Sequence, residues 1–553
     1  MHIQNQIKEF LTSTNSKVLI ITGSAGTGKT TLIRQIITQL NDLQSDYYLL
    51  APTGRASQIL HNHVFETAEV SPTTIHSFLY TKNKDSINDI PEILEFAIRD
   101  DKIEENSVVI IDEASMLSHE VSNEKNFLKF GSGNLFKDLT DYLDLSHSQR
   151  KLILLGDPCQ LPPLNVSTAE ILNPEFVKGY LNTPHVQHIH LTKVHRQLQE
   201  SLILKSAISL RDALDQKSFL QLPIETNQSE VCDLKMNEAL EKYLWDYGNS
   251  SIFLSYTNKD VHNINLNFRE LLHLSPQKLE KKERLVLMKN SWVNSQYLYN
   301  GDFLIVETLG DIENIPISFP LKDGQSFSTN LSFQSVELRK ENEHKSIHCK
   351  ILVNKLWSEE ADLSLNDLRA FVVHFQKRNS HLKRGSDEYK RAIQNDPYIN
   401  ALYVRFGYAM TCHKAQGGEW DNVYINLARP QNDLKTVNGF KWAYTALTRS
   451  KKHVYLMNRP LNKINFDPQS PFAHFINEIE THLVSFGYKL VSTKSLDYEL
   501  QLLIEKDSIS SSFKLYRNKK MQITSIMPMK KSIHSKHLET VLNTFVNKSL
   551  VEN

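Results

Sequence analysis

Eight consecutive residues, Gly23-Ser24-Ala25-Gly26-Thr27-Gly28-Lys29-Thr30, follow an apolar run (KVLII, 17–21) and lead into helical spacing from Thr30 to Leu40. A glycine-rich turn that leaves a buried strand and opens a helix commits the chain to a parallel β–α arrangement. Its glycines let backbone N–H groups turn inward around phosphate oxygens, and the helix N-terminus adds partial positive charge. The run fits GxxxxGK[ST], so Gly23 through Thr31 are expected to cradle the phosphates of ATP. Within it Lys29 would reach the β and γ phosphates, and the Thr30 hydroxyl would ligate Mg²⁺.

The flanking sequence has the same character. Tyr47 to Leu50 (YYLL), Val108 to Ile111 (VVII) and Lys151 to Leu155 (KLILL) are continuous apolar runs, and Arg55 to His63 has helical spacing. Parallel strands covered by helices on both faces read this way. A second set follows: Ser251 to Tyr256 and, after a helix at 258–272, Val423 to Leu427 and Val454 to Met457 around the helix-like Trp442 to Arg449. From Asp302 to about Ile399, the short runs FLIVETL, ISFPL, CKILV and FVVHF predict an inserted small β domain with a helical exit. At roughly 100–200 residues per domain, 553 residues predict three to five folded units. The expected fold is α/β with two parallel-sheet P-loop domains, 1–190 and 191–300 joined with 400–460. A small insertion is expected at 79–106, a β-rich, SH3-like one at 301–399, and an appendage at 461–553.

Composition narrows the partners. Lysine plus arginine equals aspartate plus glutamate at 63 each, so any nucleic-acid site must be a local patch. Cys159, Cys232, Cys349 and Cys412 form no CxxC, which argues against a disulfide framework or a zinc knuckle. The first ten residues, MHIQNQIKEF, contain no apolar signal core, and no apolar run approaches the roughly 20 residues that span a bilayer. A cytoplasmic protein without membrane partners is expected.

A second motif completes the first. The strand VVII delivers Asp112 and Glu113 at its carboxyl end. Asp112 would hold Mg²⁺ and Glu113 would polarise the attacking water, which makes a Mg-dependent nucleoside triphosphatase. Further motifs appear in order: Ala51 to Ala56 (APTGRA), Thr73 to Ser77 (TTIHS), Gly156 to Pro163 (GDPCQLPP), Leu191 to Gln197 (LTKVHRQ), Tyr408 to Glu419 (YAMTCHKAQGGE) and Tyr444 to Arg449 (YTALTR). This ordered set, over about residues 1–460, resembles the superfamily 1 helicases, and within them the RecD-like group of the 1B branch.

The resemblance implies two RecA-like domains with ATP in the cleft between them. It assigns γ-phosphate sensing to Gln160, phosphate contacts to Arg196 and Arg449, ribose or phosphate contacts to Gly417 and Glu419, and adenine recognition to Gln4 in preference to Gln6. An arginine finger supplied by the other domain makes hydrolysis wait for closure. Single-stranded DNA is implied to cross both domains on Thr53, Arg55, His76, Thr411 and His413, residue types that hold phosphates and stack on bases without reading sequence. Relatives place a strand-separating pin in the interval occupied by 79–106, where Tyr80 and Phe96 offer flat faces for a base or, as aromatics in a small subdomain more often do, form its core. A core histidine tying two loops is the alternative for His413.

Other patterns carry less. His61-Asn62-His63 lies in an expected helix without a catalytic context, and His185, His188, His190 and His195 lack a cysteine or carboxylate to complete a metal set. Lys377, Arg378, Lys383 and Arg384 read as a solvated face, with a nucleic-acid contact as the alternative. Between Ser508 and Ser535, Lys514, Arg517, Lys519, Lys520, Lys530 and Lys531 interleave with Phe513 and Tyr516 and no acid. That mixture suits an accessory backbone contact, with a solvated face or partner docking as alternatives. The resemblance implies an ATP-dependent 5′→3′ DNA helicase in repair, recombination or replication, acting as a monomer at single/double-strand junctions. An RNA helicase, or a regulatory ATPase subunit with a nuclease or repair partner, stands as the alternative.

Overall fold

The structure is a computed structural model. It describes residues 2–546 except 83–93, 122–127, 164–165, 167, 183–184, 193–200, 220–221, 228, 249, 294–295, 322–323, 342, 361–362, 385, 430–433, 460–472, 496–498, 507–508, 519–521 and 530–532. Two compact units emerge: residues 1–219 with 223–458, and residues 220–222 with 459–553.

The first unit begins with strands β1 (Val18–Gly23), β2 (Tyr47–Ala51), β3 (Thr73–Thr74), β4 (Tyr80–Lys82), β5 (Leu94–Ile98), β6 (Val108–Ile111), β7 (Leu128–Phe130), β8 (Lys151–Gly156) and β9 (Val186–Leu191). Six form one sheet in the order β3-β2-β6-β8-β1-β9, with every pair parallel. Alternation along β1 sends Leu19 and Ile21 to one face, against Ile33, Ile36 and Ile37 of the helix Lys29–Asp42. Val18 and Ile20 go to the other face, against Leu139 and Leu143 of the helix Leu135–Leu143. The register pairs Thr22 with Gly156 and Ile111 with Leu154, so β1, β8 and β6 end nearly flush. The loops after them therefore open at one edge, where open α/β sheets bind ligands.

The small sheet β4-β5-β7 departs from the expected insertion. It draws its third strand, β7, from beyond Asp112 and pairs it parallel to β5. The insertion is thus built from two chain segments, and 79–106 is only part of it; a three-residue strand such as LKF offers no periodicity to read.

The second parallel sheet follows from β10 (Val231–Asp233) and β11 (Ser251–Ser255). Next come β12 (Arg284–Leu287), β13 (Ser291–Val293), β14 (Gln296–Leu298), β15 (Phe303–Pro320), β16 (Ser326–Lys340), β17 (Ser346–Leu352) and β18 (Val404–Phe406), then β19 (Ala409–Thr411), β20 (Trp420–Asn426) and β21 (Ser450–Met457). The parallel order is β10-β21-β20-β11-β19. Between β11 and β19 the chain leaves to build the antiparallel sheet β17-β16-β15-β12-β18 and the hairpin β13-β14.

Three sequence readings change here. FLIVETL and ISFPL are one strand, the 18-residue β15, which pairs with β16 across two register shifts. FVVHF is helical: Leu368, Phe371, Val372 and Phe375 bury one stripe of the helix Leu365–Arg378, started by the Ser364/Asp367 capping box. A five-residue apolar window is too short to separate the two periods. The antiparallel sheet also reaches beyond 301–399, because β12 and β18 belong to it. Its outer strands meet at Leu402, whose N–H donates to Lys350 O at 2.8 Å and whose carbonyl accepts from Leu352 N at 3.0 Å, closing the sheet on itself.

The second unit carries an antiparallel sheet of β22 (Lys489–Ser495), β23 (Glu499–Lys506), β24 (Ile509–Arg517) and β25 (Ile523–Pro528). Ile479 and Leu483 of the helix Ala473–Ser485, with Leu538 and Leu542 of the helix Ile533–Leu542, cover Leu502, Ile504, Phe513 and Leu515. Phe513 is therefore core rather than a stacking platform, and Lys514 is paired with Glu499 at 3.1 Å. Lys519, Lys520, Lys530 and Lys531 lie outside the described residues. Among the described residues no helix is long and apolar enough to cross a membrane.

Candidate functional site

The loop after β1 needs its glycines. Gly26 and Gly28 hold φ of 77° and 81°, the left-handed region that favours glycine, and Gly28 caps the helix Lys29–Asp42. A Cβ on Gly23 would stand 2.5 Å from Thr27 Oγ1 and 2.9 Å from Leu191 Cβ. Thr27 Oγ1 donates to Ser24 O at 2.7 Å, fixing the loop's width. Lys29 Nζ folds across the mouth and donates to Gly23 O at 2.8 Å and Ser24 O at 3.1 Å. Thr30 and Thr31 stand in the first turn, part-buried and exposed.

Two strands away, β6 ends in the acidic pair. Burial, then the charge of Glu113, pushes the Asp112 carboxyl up to about 7, with Lys29 pulling the other way. Glu113 sits at φ 52°, ψ 38°, a left-handed conformation that costs a non-glycine residue about 1–2 kcal/mol. Such strain concentrates at functional sites. Glu113 N–H donates to Asp112 Oδ1 at 2.9 Å.

Three polar atoms at this edge, Ser24 Oγ, Glu113 Oε2 and Gln160 Oε1, are buried without a hydrogen-bond partner. An orphaned buried polar group costs about 1–3 kcal/mol, so three on adjacent loops point to a polar group that these loops are built to receive. The donor set fits ATP and Mg²⁺: loop amides, a lysine, a hydroxyl and a buried carboxylate. Asp112 and Thr30 are the residues that would hold the metal.

The second parallel sheet closes this edge. Tyr444, in the helix Val437–Leu447, places its hydroxyl between the two halves: it accepts from Ala25 N–H at 3.1 Å and donates to Asp157 Oδ2 at 2.5 Å. Leu161 N–H donates to Thr445 Oγ1 at 2.9 Å, and Gln416 Nε2 to Leu161 O at 2.8 Å. Arg449 is 4% exposed; its Nε donates to Thr445 O at 3.0 Å and its Nη1 to Gly418 O at 3.3 Å. Tyr444, Thr445 and Gln416 lie inside motifs quoted above, yet nothing in the sequence separates them from their neighbours.

Gln4 is on an exposed part of the helix His2–Thr12, its carbonyl accepting from Gln39 Nε2 at 3.3 Å. Gly417, at φ 72°, abuts the helix Gly54–Val64, where a Cβ would come 2.8 Å from Ala56 Cβ. Glu419 is exposed and paired with Lys451 at 3.4 Å. Arg196 lies outside the described residues.

The expected strand contacts divide into two groups. Thr53 caps the helix Gly54–Val64 by accepting from Ala56 N–H at 3.2 Å. The Arg55 guanidinium sits 4.2 Å from the Trp420 ring centroid and 5.1 Å from that of Phe303, and burial lowers its pKa to about 10. His76 packs edge-on to Phe130 at 5.0 Å and beside Tyr80, and burial lowers it to about 4. Thr411 and His413, by contrast, line a cavity of about 350 Å³ with Tyr256, Tyr403, Lys289 and Lys414. Aromatic faces beside lysines are what a single strand uses. The sequence reading named none of these four as contacts: Lys414 lies in the quoted 408–419 motif, while Tyr256, Lys289 and Tyr403 come from separate segments.

Of the remaining patterns, His188 Nε2 and His190 Nδ1 share the Thr22 hydroxyl at 2.8 and 2.9 Å. No metal-ligating cluster occurs among the described residues. Arg378 pairs with Asp396 at 2.8 Å.

Known proteins resemble both halves. The AAA domain family matches residues 6–165, and the UvrD-like helicase C-terminal domain matches residues 406–457. An uncharacterized protein of Acanthamoeba polyphaga mimivirus is 20% identical over 82% of this chain and 98% of its own. The RecBCD enzyme subunit RecD of Buchnera aphidicola is 23% identical over 83% of this chain and 73% of its own. The ATP-dependent DNA helicase PIF1 of Emericella nidulans is 23% identical over 82% and 59%. Among solved structures, a Pif1 helicase from Bacteroides in complex with ADP-AlF3 and ssDNA aligns at TM-score 0.41 and 17% identity, covering 87% of this chain and 97% of that one. An AAA domain thus matches over most of the first parallel sheet, and a UvrD-like helicase C-terminal domain matches in the second.

Proposed function

We propose that the chain uses ATP hydrolysis to move 5′→3′ along single-stranded DNA and to open the duplex ahead. The observation that carries this reading is the contact of the second domain with two loops at this edge: Tyr444 with Ala25 of the phosphate loop, and Thr445 and Gln416 with Leu161 of the loop after β8. A change at the phosphates must then be felt by both parallel sheets, which we read as two RecA-like domains, with the closed antiparallel sheet as an SH3-like insertion.

Lys29 would leave the carbonyls of Gly23 and Ser24 for the β and γ phosphates, a stronger, charge-assisted pairing. Mg²⁺ held by Asp112 and Thr30 would supply neutralisation of charge on the transferred phosphoryl group. Glu113 orients and polarises the water, Gln160 reads the terminal phosphate, and Arg449 advances from its carbonyl partners to stabilise the transition state, with Arg196 assigned beside it. Opening a base pair costs about 0.6–2.2 kcal/mol per step, so the motor needs two grips that alternate with nucleotide state. Thr411, His413 and the cavity around them form one grip; the first domain carries the other near Thr53 and His76.

DNA and the 5′→3′ direction rest on the RecD-like motifs and on relatives named a RecBCD subunit and a DNA helicase. The likeness to a RecD subunit also supports a second reading, an ATPase subunit within a nuclease or repair assembly. Duplexes with a 5′ or a 3′ single-stranded tail, in DNA and in RNA, with and without ATP, test the proposal. ATP-dependent opening of the 5′-tailed DNA alone is expected; opening of only the 3′-tailed substrate overturns the direction, and opening of only RNA overturns the substrate.

A further inference from the structure

The phosphate loop already has one of its amides occupied, and by a residue from the other domain. Ala25 N–H donates to Tyr444 Oη at 3.1 Å, and the same hydroxyl donates to Asp157 Oδ2 at 2.5 Å. Tyr444 and Asp157 are each 1% exposed, so the bond between them is shielded from water, while Ala25 is half-buried. Asp157 lies three residues before Gln160 on one loop, which puts the hydroxyl at the end of the cradle where the terminal phosphate is read. Tyr444 is also tied to the candidate finger, since Arg449 Nε is bonded to the carbonyl of Thr445, the next residue.

We propose that Tyr444 is a positioning residue that reports the terminal phosphate to the second domain. Its hydroxyl holds the Ala25 amide until a phosphate oxygen takes that amide, and the freed tyrosine, still bonded to Asp157, lets the helix Val437–Leu447 carry Arg449 inward. The exchange runs toward phosphate because a hydrogen bond to an ionised acceptor is roughly twice as strong as one to a neutral hydroxyl. A nucleotide without the terminal phosphate does not complete the exchange, so the second domain distinguishes ATP from ADP through one oxygen atom. This inference rests on the reading of the edge as an ATP site.

Tyr444→Phe keeps the ring and removes the oxygen. Fluorescent ADP and a fluorescent non-hydrolysable ATP analogue are titrated into the full chain, and turnover is measured with and without single-stranded DNA. Loss of one competing hydrogen bond is expected to tighten the ATP analogue about two- to tenfold and leave ADP within about twofold. Stimulation of turnover by DNA is expected to fall, with the thermal midpoint within a few degrees of wild type. Asp157→Asn, which weakens the hydroxyl's other partner, should shift the same ratio in the same direction by less, and it stands in if the phenylalanine variant does not fold. Wild-type nucleotide discrimination and stimulation in Tyr444→Phe, with impairment only in Tyr444→Ala, overturns the proposal and leaves the ring as packing. A wild-type chain that binds neither nucleotide overturns the reading of the edge itself.

Discussion

The loop after β1 and the corner after β2 leave the same parallel sheet in the same direction, and each opens a helix. After β1 the expected working groups are backbone amides, and the glycines there take the left-handed conformation the loop requires. After β2 the expected working groups are side chains, Thr53 and Arg55. There the fold uses the first as a helix cap and sandwiches the second between Trp420 and Phe303. Chemistry carried by the backbone survives translation from motif to structure; chemistry carried by a side chain depends on which neighbours reach it first.

Four experiments break or sharpen that contrast. The largest effect is expected from Arg449→Ala, with a loss of about 10³–10⁵ in kcat, because a finger acts on the transferring phosphoryl group. Nucleotide binding, measured by fluorescence titration, should stay within several-fold. Equal turnover in variant and wild type would remove the second domain from the chemistry.

Lys29→Ala should lower turnover by at least about 10²–10³. Lys29 bonds only carbonyls of its own loop among the contacts seen, so far-ultraviolet circular dichroism and the thermal midpoint should be kept. A collapse of the fold instead would mean that the loop, too, depends on a side chain.

Arg55→Ala addresses the other corner. Stacking of a desolvated guanidinium is worth about 2 kcal/mol, so the variant should melt earlier. If Arg55 works as packing, the slope of log affinity for single-stranded DNA against log salt is unchanged. A slope lower by about 0.7 with an unaltered midpoint would restore it as a phosphate contact.

The smallest effect concerns the two histidines. Burial lowers His76 and His413 to about 4 from 6.5. Between those values the unfolded chain binds protons that the folded chain refuses, so their contribution to stability falls as pH drops from about 6.5 toward 4 and is constant above. Thermal midpoints of wild type and His76→Phe at pH 7.5 and 5 should diverge, with the variant losing less; parallel curves would show that the ring is not held neutral by its aromatic neighbours.

Much of the fold could be read before any coordinates. The continuous runs that became β1, β2, β6 and β8 are apolar because helices cover both faces of the sheet, a demand that each residue meets locally. The acidic pair and phosphate loop were legible for the same reason. FVVHF misled because five residues do not distinguish a strand from a helix stripe, and the Ser364 cap that decides it lies outside the window. The third strand of the small sheet was invisible because its partner, β5, lies on the far side of Asp112 in the chain.

By itself the sequence determined the parallel sheets, the glycine-rich loop after β1 and the acidic pair at the end of β6, since each follows from short-range spacing and burial. Tertiary structure alone decided that Tyr444 occupies the Ala25 amide, that Arg55 is held by Trp420, and that Tyr256, Tyr403 and Lys414 share a cavity with His413. Those meetings join residues far apart in the chain, and close packing brings them together without any local pattern having to announce them.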